Sequence, residues 1–322
     1  MSEAAARQTG RTPAGSVLDR IGGTPLVDIS VLSPNPDVSI YAKLEGENPT
    51  GSVKDRIAWW MVSAAEQDGR LEPGQTILEP TSGNTGISLA MIGRLRGYPV
   101  KVVMPDAVTR ERVELLESFG AEILYSPGDL GTNGSVREAE RIHAEHPEWF
   151  MPFQYENEDN PRAHYESTAP EIIEDLPGTD VFVAGLGTGG TLTGVGRRLK
   201  EHNPAVRIVA AAPHPGDLVQ GLRSLEEGYI PPVLDESVLD GRIVVDSATS
   251  FRLTRELTER TGIFAGVSSG AAVRAAQRAA ERMRSGKVVC LLADSGWKYL
   301  SSGLWTQDYD EIEEDVNTTL WW

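Results

Sequence analysis

The 322-residue chain has a single cysteine, Cys290, so no disulfide framework holds it together. That cysteine lies inside the apolar run Val288-Val289-Cys290-Leu291-Leu292, where a buried structural thiol is expected. No stretch approaches 18 consecutive apolar residues, which excludes a membrane-spanning helix. The first sixteen residues are rich in Ala, Gly and Thr and have no apolar core, so they do not read as a signal peptide. A soluble cytoplasmic protein is the default expectation. Positive charge is scarce as well. Thirty Lys and Arg face 47 Asp and Glu, for a net charge of −17. Such a surface repels a phosphate backbone and argues against nucleic-acid binding. Any anionic substrate must then find a local cationic pocket. The five histidines show no zinc spacing with Cys290, and no metal is expected.

The chain is long enough for about two domains and a large core without staples. Short apolar runs at 76–78, 100–104, 121–125, 181–184, 206–211 and 287–292 read as buried strands. Between them, helical patterns cover 55–67, 85–96, 110–119, 135–145, 191–201, 250–261 and 270–284. This alternation predicts an α/β fold with mostly parallel sheets. Ligands in such folds sit beyond the carboxyl ends of strands, often at helix N-termini. The strand-to-helix turns are therefore the places to look for chemistry.

Four of these turns stand out. Asn48-Pro49-Thr50-Gly51-Ser52-Val53-Lys54 puts a lysine into the first turn of a helix. The helix dipole disfavours an ammonium there and favours a neutral amine, the form a Schiff-base lysine needs. A solvated surface lysine is the plainer reading. The chain has only six lysines, and just Lys54 and Lys298 fall at turn-like positions beside motifs. Glu79-Pro80-Thr81-Ser82-Gly83-Asn84-Thr85-Gly86 follows a strand and opens a helix. Its hydroxyls, glycines and the Asn84 amide suit an anion or a phenolate-type oxygen, or simply an N-capped turn. Gly185-Leu186-Gly187-Thr188-Gly189-Gly190-Thr191 suits a phosphate, or a tight turn with no ligand. It lacks the Gly-Lys-Ser/Thr ending of a P-loop. In Gly266-Val267-Ser268-Ser269-Gly270 the serines alone read best as N-caps.

Taken together with Ile21-Gly22-Gly23-Thr24-Pro25-Leu26, Lys43-Leu44-Glu45 and Asp294-Ser295-Gly296, these segments resemble the fold-type II pyridoxal 5'-phosphate enzymes, in particular the cysteine synthase family. The match runs from about Ile21 to Ser302. The resemblance implies two three-layer α/β/α domains with mostly parallel sheets. Residues 16–46 with 158–306 would form the larger domain that binds the cofactor phosphate, 47–157 a smaller mobile domain that closes on substrate, and 307–322 a C-terminal tail. It implies that Lys54 carries pyridoxal 5'-phosphate as a Schiff base and then moves the substrate α-proton. Asn84 would bind the ring hydroxyl oxygen. Gly187, Thr188, Gly189, Gly190 and Thr191 would bind the cofactor phosphate, and Ser268 would face the pyridine nitrogen, with Ser269 and Ser295 as other candidates for that place. Thr81, Ser82, Thr85 and Gln154 would bind the substrate carboxylate. A homodimer is the usual family assembly.

Within the family, two features resemble the branch that takes O-phospho-L-serine and a thiocarboxylated, ubiquitin-like sulfur-carrier protein. Arg223, in Gln220-Gly221-Leu222-Arg223-Ser224-Leu225-Glu226-Glu227-Gly228, falls where that branch recognises phosphate. Its guanidinium fork suits the task, although Glu226 and Glu227 could simply pair with it. Gly296-Trp297-Lys298-Tyr299-Leu300-Ser301 and the ending Leu320-Trp321-Trp322 are similar to the same branch, whose tail folds into the active-site mouth. Two segments depart from the family pattern. They are Thr168-Ala169-Pro170, in place of Thr-Gly-Pro, and Asn157-Glu158-Asp159-Asn160, in place of Asn-Pro-Ala-Asn. The expected reaction is β-replacement to L-cysteine through an aminoacrylate, with a carrier protein or sulfide as sulfur donor. The alternatives are an O-acetylserine sulfhydrylase and a non-catalytic binding protein on the same fold.

Overall fold

The computed structural model describes residues 15–308 and 311–312, apart from 82, 107, 129–130, 216, 218, 220 and 228. Nine strands are found among them: β1 Leu26–Asp28, β2 Val38–Leu44, β3 Ile77–Pro80, β4 Val100–Pro105, β5 Glu122–Ser126, β6 Val181–Gly185, β7 Arg207–Ala212, β8 Gly241–Val244 and β9 Gly286–Leu292. Helices α1 Lys54–Asp68, α2 Asn84–Arg96, α3 Arg110–Ser118 and α4 Gly131–Glu145 lie in the first half. Helices α5 Asp159–Ala163, α6 Ala169–Asp175, α7 Gly190–His202, α8 Ser247–Thr261 and α9 Ser268–Ala280 follow.

The strands form two sheets. The larger has the order β1-β2-β9-β6-β7-β8 and the smaller β3-β4-β5. All pairings are parallel except β1 with β2. A parallel strand covered on both faces must be apolar on both, and β9 shows why the sequence complies. Its Val288, Cys290 and Leu292 pack with Ala271, Ala272, Ala275 and Ala276 of α9. Val289 and Leu291 pack with Leu192 and Val195 of α7 on the opposite face. The small sheet is layered the same way, with Ile77, Val102 and Met104 facing α1 and α2. Leu78 and Val103 face Ala139 and Ile142 of α4. Each sheet is thus the middle of a three-layer α/β unit.

The expected strands and helices are present, with boundaries moved by a few residues. The helical pattern at 270–284 is realised from Ser268 to Ala280. Residues 159–175, not among the expected helices, form one helical run whose middle, His164–Thr168, is a π-turn. Pro170 stands at the start of α6, directly after the π-turn. Both departures from the family pattern therefore fall on or beside a packed helical run. Cys290 is buried, and burial pushes its thiol up to about 12, as a structural thiol requires. Of the tail, Ile312 is buried with Phe251, Val267, Tyr299 and Leu304. Residues 313–322, including both terminal tryptophans, lie outside the described part. No helix among the described residues is long and apolar enough to cross a membrane.

Candidate active site

Residues from the loops after β2, β3, β6 and β9, and from the first turns of α1, α2, α7 and α9, line one cavity. Lys54 is the first residue of α1. Its loop is tied to the end of β9, since Val53 N donates to Ala293 O at 2.8 Å and Ser52 bridges Asp294. The turn before it needs Gly51, at φ +78°, because a Cβ there would come within 2.7 Å of the Trp297 ring. Asp55 accepts from Thr50 N at 2.7 Å and from the Ser88 hydroxyl at 2.5 Å, placing a carboxylate at the start of α1. Burial lowers the Lys54 ammonium to about 8, against the attraction of Asp294 and Glu79. An appreciable fraction of the amine is then neutral near neutral pH, as a nucleophile or base requires.

The loop after β3 brings in the second group. Thr81 N donates to Val103 O at 2.9 Å, and Gly83 N to Thr81 Oγ1 at 3.2 Å. Asn84 opens α2. Its Nδ2 donates to Asp294 Oδ2 at 2.7 Å, and its Oδ1 accepts from Lys298 Nζ at 2.6 Å. Thr85 Oγ1 donates to Gln154 Oε1 at 2.8 Å. Gln154 is held from behind by Glu79, whose carboxylate accepts from Phe153 N at 2.8 Å and Gln154 N at 3.1 Å. Burial raises Glu79 to about 8 despite those backbone donors. Phe153 takes φ 53°, an unusual value for a side-chain-bearing residue, and the Glu79 contacts hold that bend.

The third group is the glycine-rich turn into α7. A Cβ on Gly187 would lie 2.9 Å from Gly221 O, and one on Gly190 2.0 Å from Asn160 Oδ1. Only glycine fits, and the turn presents bare backbone at the N-terminus of a thirteen-residue helix. Asn160 Nδ2 donates to Thr188 Oγ1 at 3.1 Å. Thr191 Oγ1 lies 3.1 Å from His164 Nε2, and burial, with Arg56 nearby, lowers that imidazole to about 3. His164 is thus neutral and can fix the hydroxyl without adding charge.

One cavity is lined by Lys54, Thr81, Asn84, Thr85, Gln154, Gly187, Thr188, Gly189, Thr191, Arg223 and Ser268. Gly190 lies just behind it, its N donating to Thr188 Oγ1 at 3.3 Å. Ser82 lies outside the described residues. Of the three serines considered for the ring nitrogen, only Ser268 lines the cavity. Ser269 is fully buried, and Ser295 Oγ donates to Gly46 O at 2.8 Å, on the other side of the loop. Arg223 is 8% exposed. Its guanidinium lies 5.0 Å from the Tyr229 ring centroid and 5.6 Å from that of Tyr155, and Nη1 donates to Asn133 Oδ1 at 3.2 Å. Among the described residues no carboxylate pairs with it. Glu226 is engaged by Arg242 and Ser224 instead.

These residues fit pyridoxal phosphate. The amine, the helix N-terminus stripped of Cβ atoms, the amide and the Ser268 hydroxyl border one space of mixed polarity. Sequence reasoning assigned no role to Asp294, Arg112, Tyr155, Tyr299 or Thr132, all of which line the same cavity. Asp294 stood in a motif, but nothing in the sequence shows that it receives Asn84 and Tyr299 OH, the latter at 2.6 Å. Arg112 comes from the first turn of α3 and carried no local signal.

Comparison with known proteins gives a consistent result. The family model for pyridoxal-phosphate dependent enzymes matches residues 17–294. A probable cysteine synthase of Bacillus subtilis (strain 168) is 44% identical over 300 residues, covering 89% of this chain and 96% of the relative. The crystal structure of an O-ureido-L-serine synthase superposes with a TM-score of 0.86 at 40% identity, covering 94% of this chain and 97% of that one. A cysteine synthase from Entamoeba histolytica superposes at 0.87 with 33% identity, covering 96% of each chain.

Proposed function

The chain belongs to the pyridoxal-phosphate dependent enzymes, among the homologues of cysteine synthase, and from that premise we propose that it makes L-cysteine by β-replacement on O-phospho-L-serine. The observation that carries the choice of substrate is Arg223. A buried guanidinium in the cavity wall, with no carboxylate partner among the described residues, is costly unless an anion meets it. A chain of net charge −17 gains such a site only by design of the pocket. A phosphate leaving group matches the planar fork better than an acetyl ester does.

Held at Lys54, pyridoxal phosphate supplies an electron sink beside the substrate α-carbon. The chain supplies the rest. Thr81, Thr85 and the Gln154 amide receive the substrate carboxylate. Lys54 Nζ, partly neutral at physiological pH, takes the α-proton and later returns it. Arg223 draws the leaving phosphate away from Cβ. Ser268 offers a hydroxyl to the ring nitrogen, which leaves that nitrogen without a carboxylate to keep it protonated and favours elimination over long-lived carbanion chemistry. The sulfur donor is a sulfide-level nucleophile, either free sulfide or a thiocarboxylated carrier protein.

The test is turnover of O-phospho-L-serine and O-acetyl-L-serine by the protein and its Arg223→Met variant, with sulfide as the common acceptor. The variant should lose roughly 10²-fold in kcat/KM with the phosphorylated substrate, the order expected for removing one charged donor, and little with the acetylated one. Equal losses with both would reduce Arg223 to a structural role and leave O-acetyl-L-serine as the substrate.

A further inference from the structure

One buried charge beside the cavity has no part in that scheme. Lys298, in the turn Gly296–Ser302, is 0% exposed. Its ammonium donates not to a carboxylate but to the neutral Asn84 Oδ1, at 2.6 Å. Burying an ammonium against an amide is unfavourable for the fold alone, because only a full opposite charge offsets the lost hydration. Burial accordingly lowers it to about 8; Asp294 and Asp55 oppose that shift, and Arg112 adds to it.

The arrangement does constrain Asn84. A lysine only donates and a carboxylate only accepts. With Lys298 on one side and Asp294 on the other, the amide has one permitted flip: Oδ1 toward Lys298 and Nδ2 toward Asp294. One N–H of Nδ2 goes to Asp294 Oδ2 at 2.7 Å. The second has no acceptor among the described residues, and Asn84 borders the cavity. Tyr299 OH donates to the same Asp294 oxygen at 2.6 Å, fixing the far end of the chain. We propose that Lys298 is a positioning residue for the cofactor: it locks and polarises the Asn84 amide so that its free N–H is presented to an anionic oxygen on the bound ring. The inference rests on Asn84 being the donor to that oxygen.

A double-mutant cycle on the full chain, stripped of cofactor and titrated with pyridoxal phosphate by tryptophan fluorescence, separates the possibilities. Lys298→Met should weaken binding roughly tenfold, the loss expected for one hydrogen bond to a charged group, and Lys298→Arg should restore most of it. In an Asn84→Ala background, Lys298→Met should cost less than about twofold, since the residue it acts through is gone. Lys298→Met losses of the same size in both backgrounds, or none in either, overturn the proposal. Tight binding by Asn84→Ala itself overturns the underlying reading of Asn84 instead. Should Lys298→Met fail to fold by thermal melting, Lys298→Gln keeps a donor without the charge. Measured in the same cycle, it should show a smaller loss of the same sign.

Discussion

Lys54 and Arg56 stand two residues apart on the first turn of α1, and they meet opposite fates. Arg56 turns to the junction of the two sheets. There it donates to Glu45 Oε2 at 2.7 Å and Oε1 at 2.8 Å, and to both Glu171 oxygens at 2.7 Å. Lys43, fully buried, pairs with Glu171 at 2.7 Å and donates to Thr24 O at 2.6 Å. Two cations and two carboxylates cancel. Lys54, Lys298 and Arg223 face or flank the cavity with no carboxylate in salt-bridge range among the described residues. Buried charge that is fully paired holds the structure together, whereas buried charge left incomplete is available to a ligand. The two sets differ above all in partners, with Lys54 itself half-buried.

The sharpest separation comes from Lys54→Ala. Turnover should fall to background and the visible absorption of bound cofactor should vanish, while urea denaturation shifts by no more than about 1 kcal/mol, because a desolvated amine was lost and no pair broken. A variant that keeps the visible band would remove Lys54 from the cofactor. Arg56→Met tests the opposite region. It strands Glu45 and part of Glu171, and about 3–5 kcal/mol of stability should go with it, as happens when one partner of a buried pair is deleted. Arg223→Met, by contrast, should change stability by less than about 1 kcal/mol even as it removes turnover of the phosphorylated substrate. If Arg56→Met proved as mild in denaturant as Arg223→Met, the distinction between the two regions would fail.

Much of this was readable in the chain. Apolar runs of strand length and helical periodicities give the two sheets and most of their helices, because parallel strands covered on both faces leave an unmistakable Val/Ile/Leu signature. The glycine-rich turns announce themselves through composition. What the sequence could not separate is motif for structure from motif for chemistry. Gly22, Gly23 and Thr24 look like site residues. Gly22 N donates to Asn48 Oδ1 at 2.8 Å, Gly23 N to Glu171 at 2.9 Å and Thr24 Oγ1 to Glu45 at 2.7 Å, all in the paired region. Arg112, Tyr155 and Asp294 reach the cavity through contacts between residues far apart in the chain, and no local pattern encodes those. The helical run at 159–175 was not among the expected helices; its two prolines, Pro161 and Pro170, stand in the first turns of α5 and α6.

The paired region also leaves a mark in acid. Burial would raise Glu45, but the charge and hydrogen bonds of Arg56, helped by Thr24 and Lys43, hold it down to about 2, below the ordinary 4.5. A carboxylate depressed in the folded state contributes stability in full above its unfolded value and loses it as pH falls through its folded one. That contribution, about 3 kcal/mol from the difference of the two values, should disappear between pH 4.5 and 2. Denaturation midpoints of the unmodified protein should therefore drop across this window. In Glu45→Gln the stability should start lower and the slope over the same window should flatten, because the group that titrates is gone. Arg223→Met should leave the slope as it was, since no carboxylate among the described residues pairs with that guanidinium. An acid slope unchanged in Glu45→Gln would mean that the junction is not where this protein keeps its acid-sensitive charge.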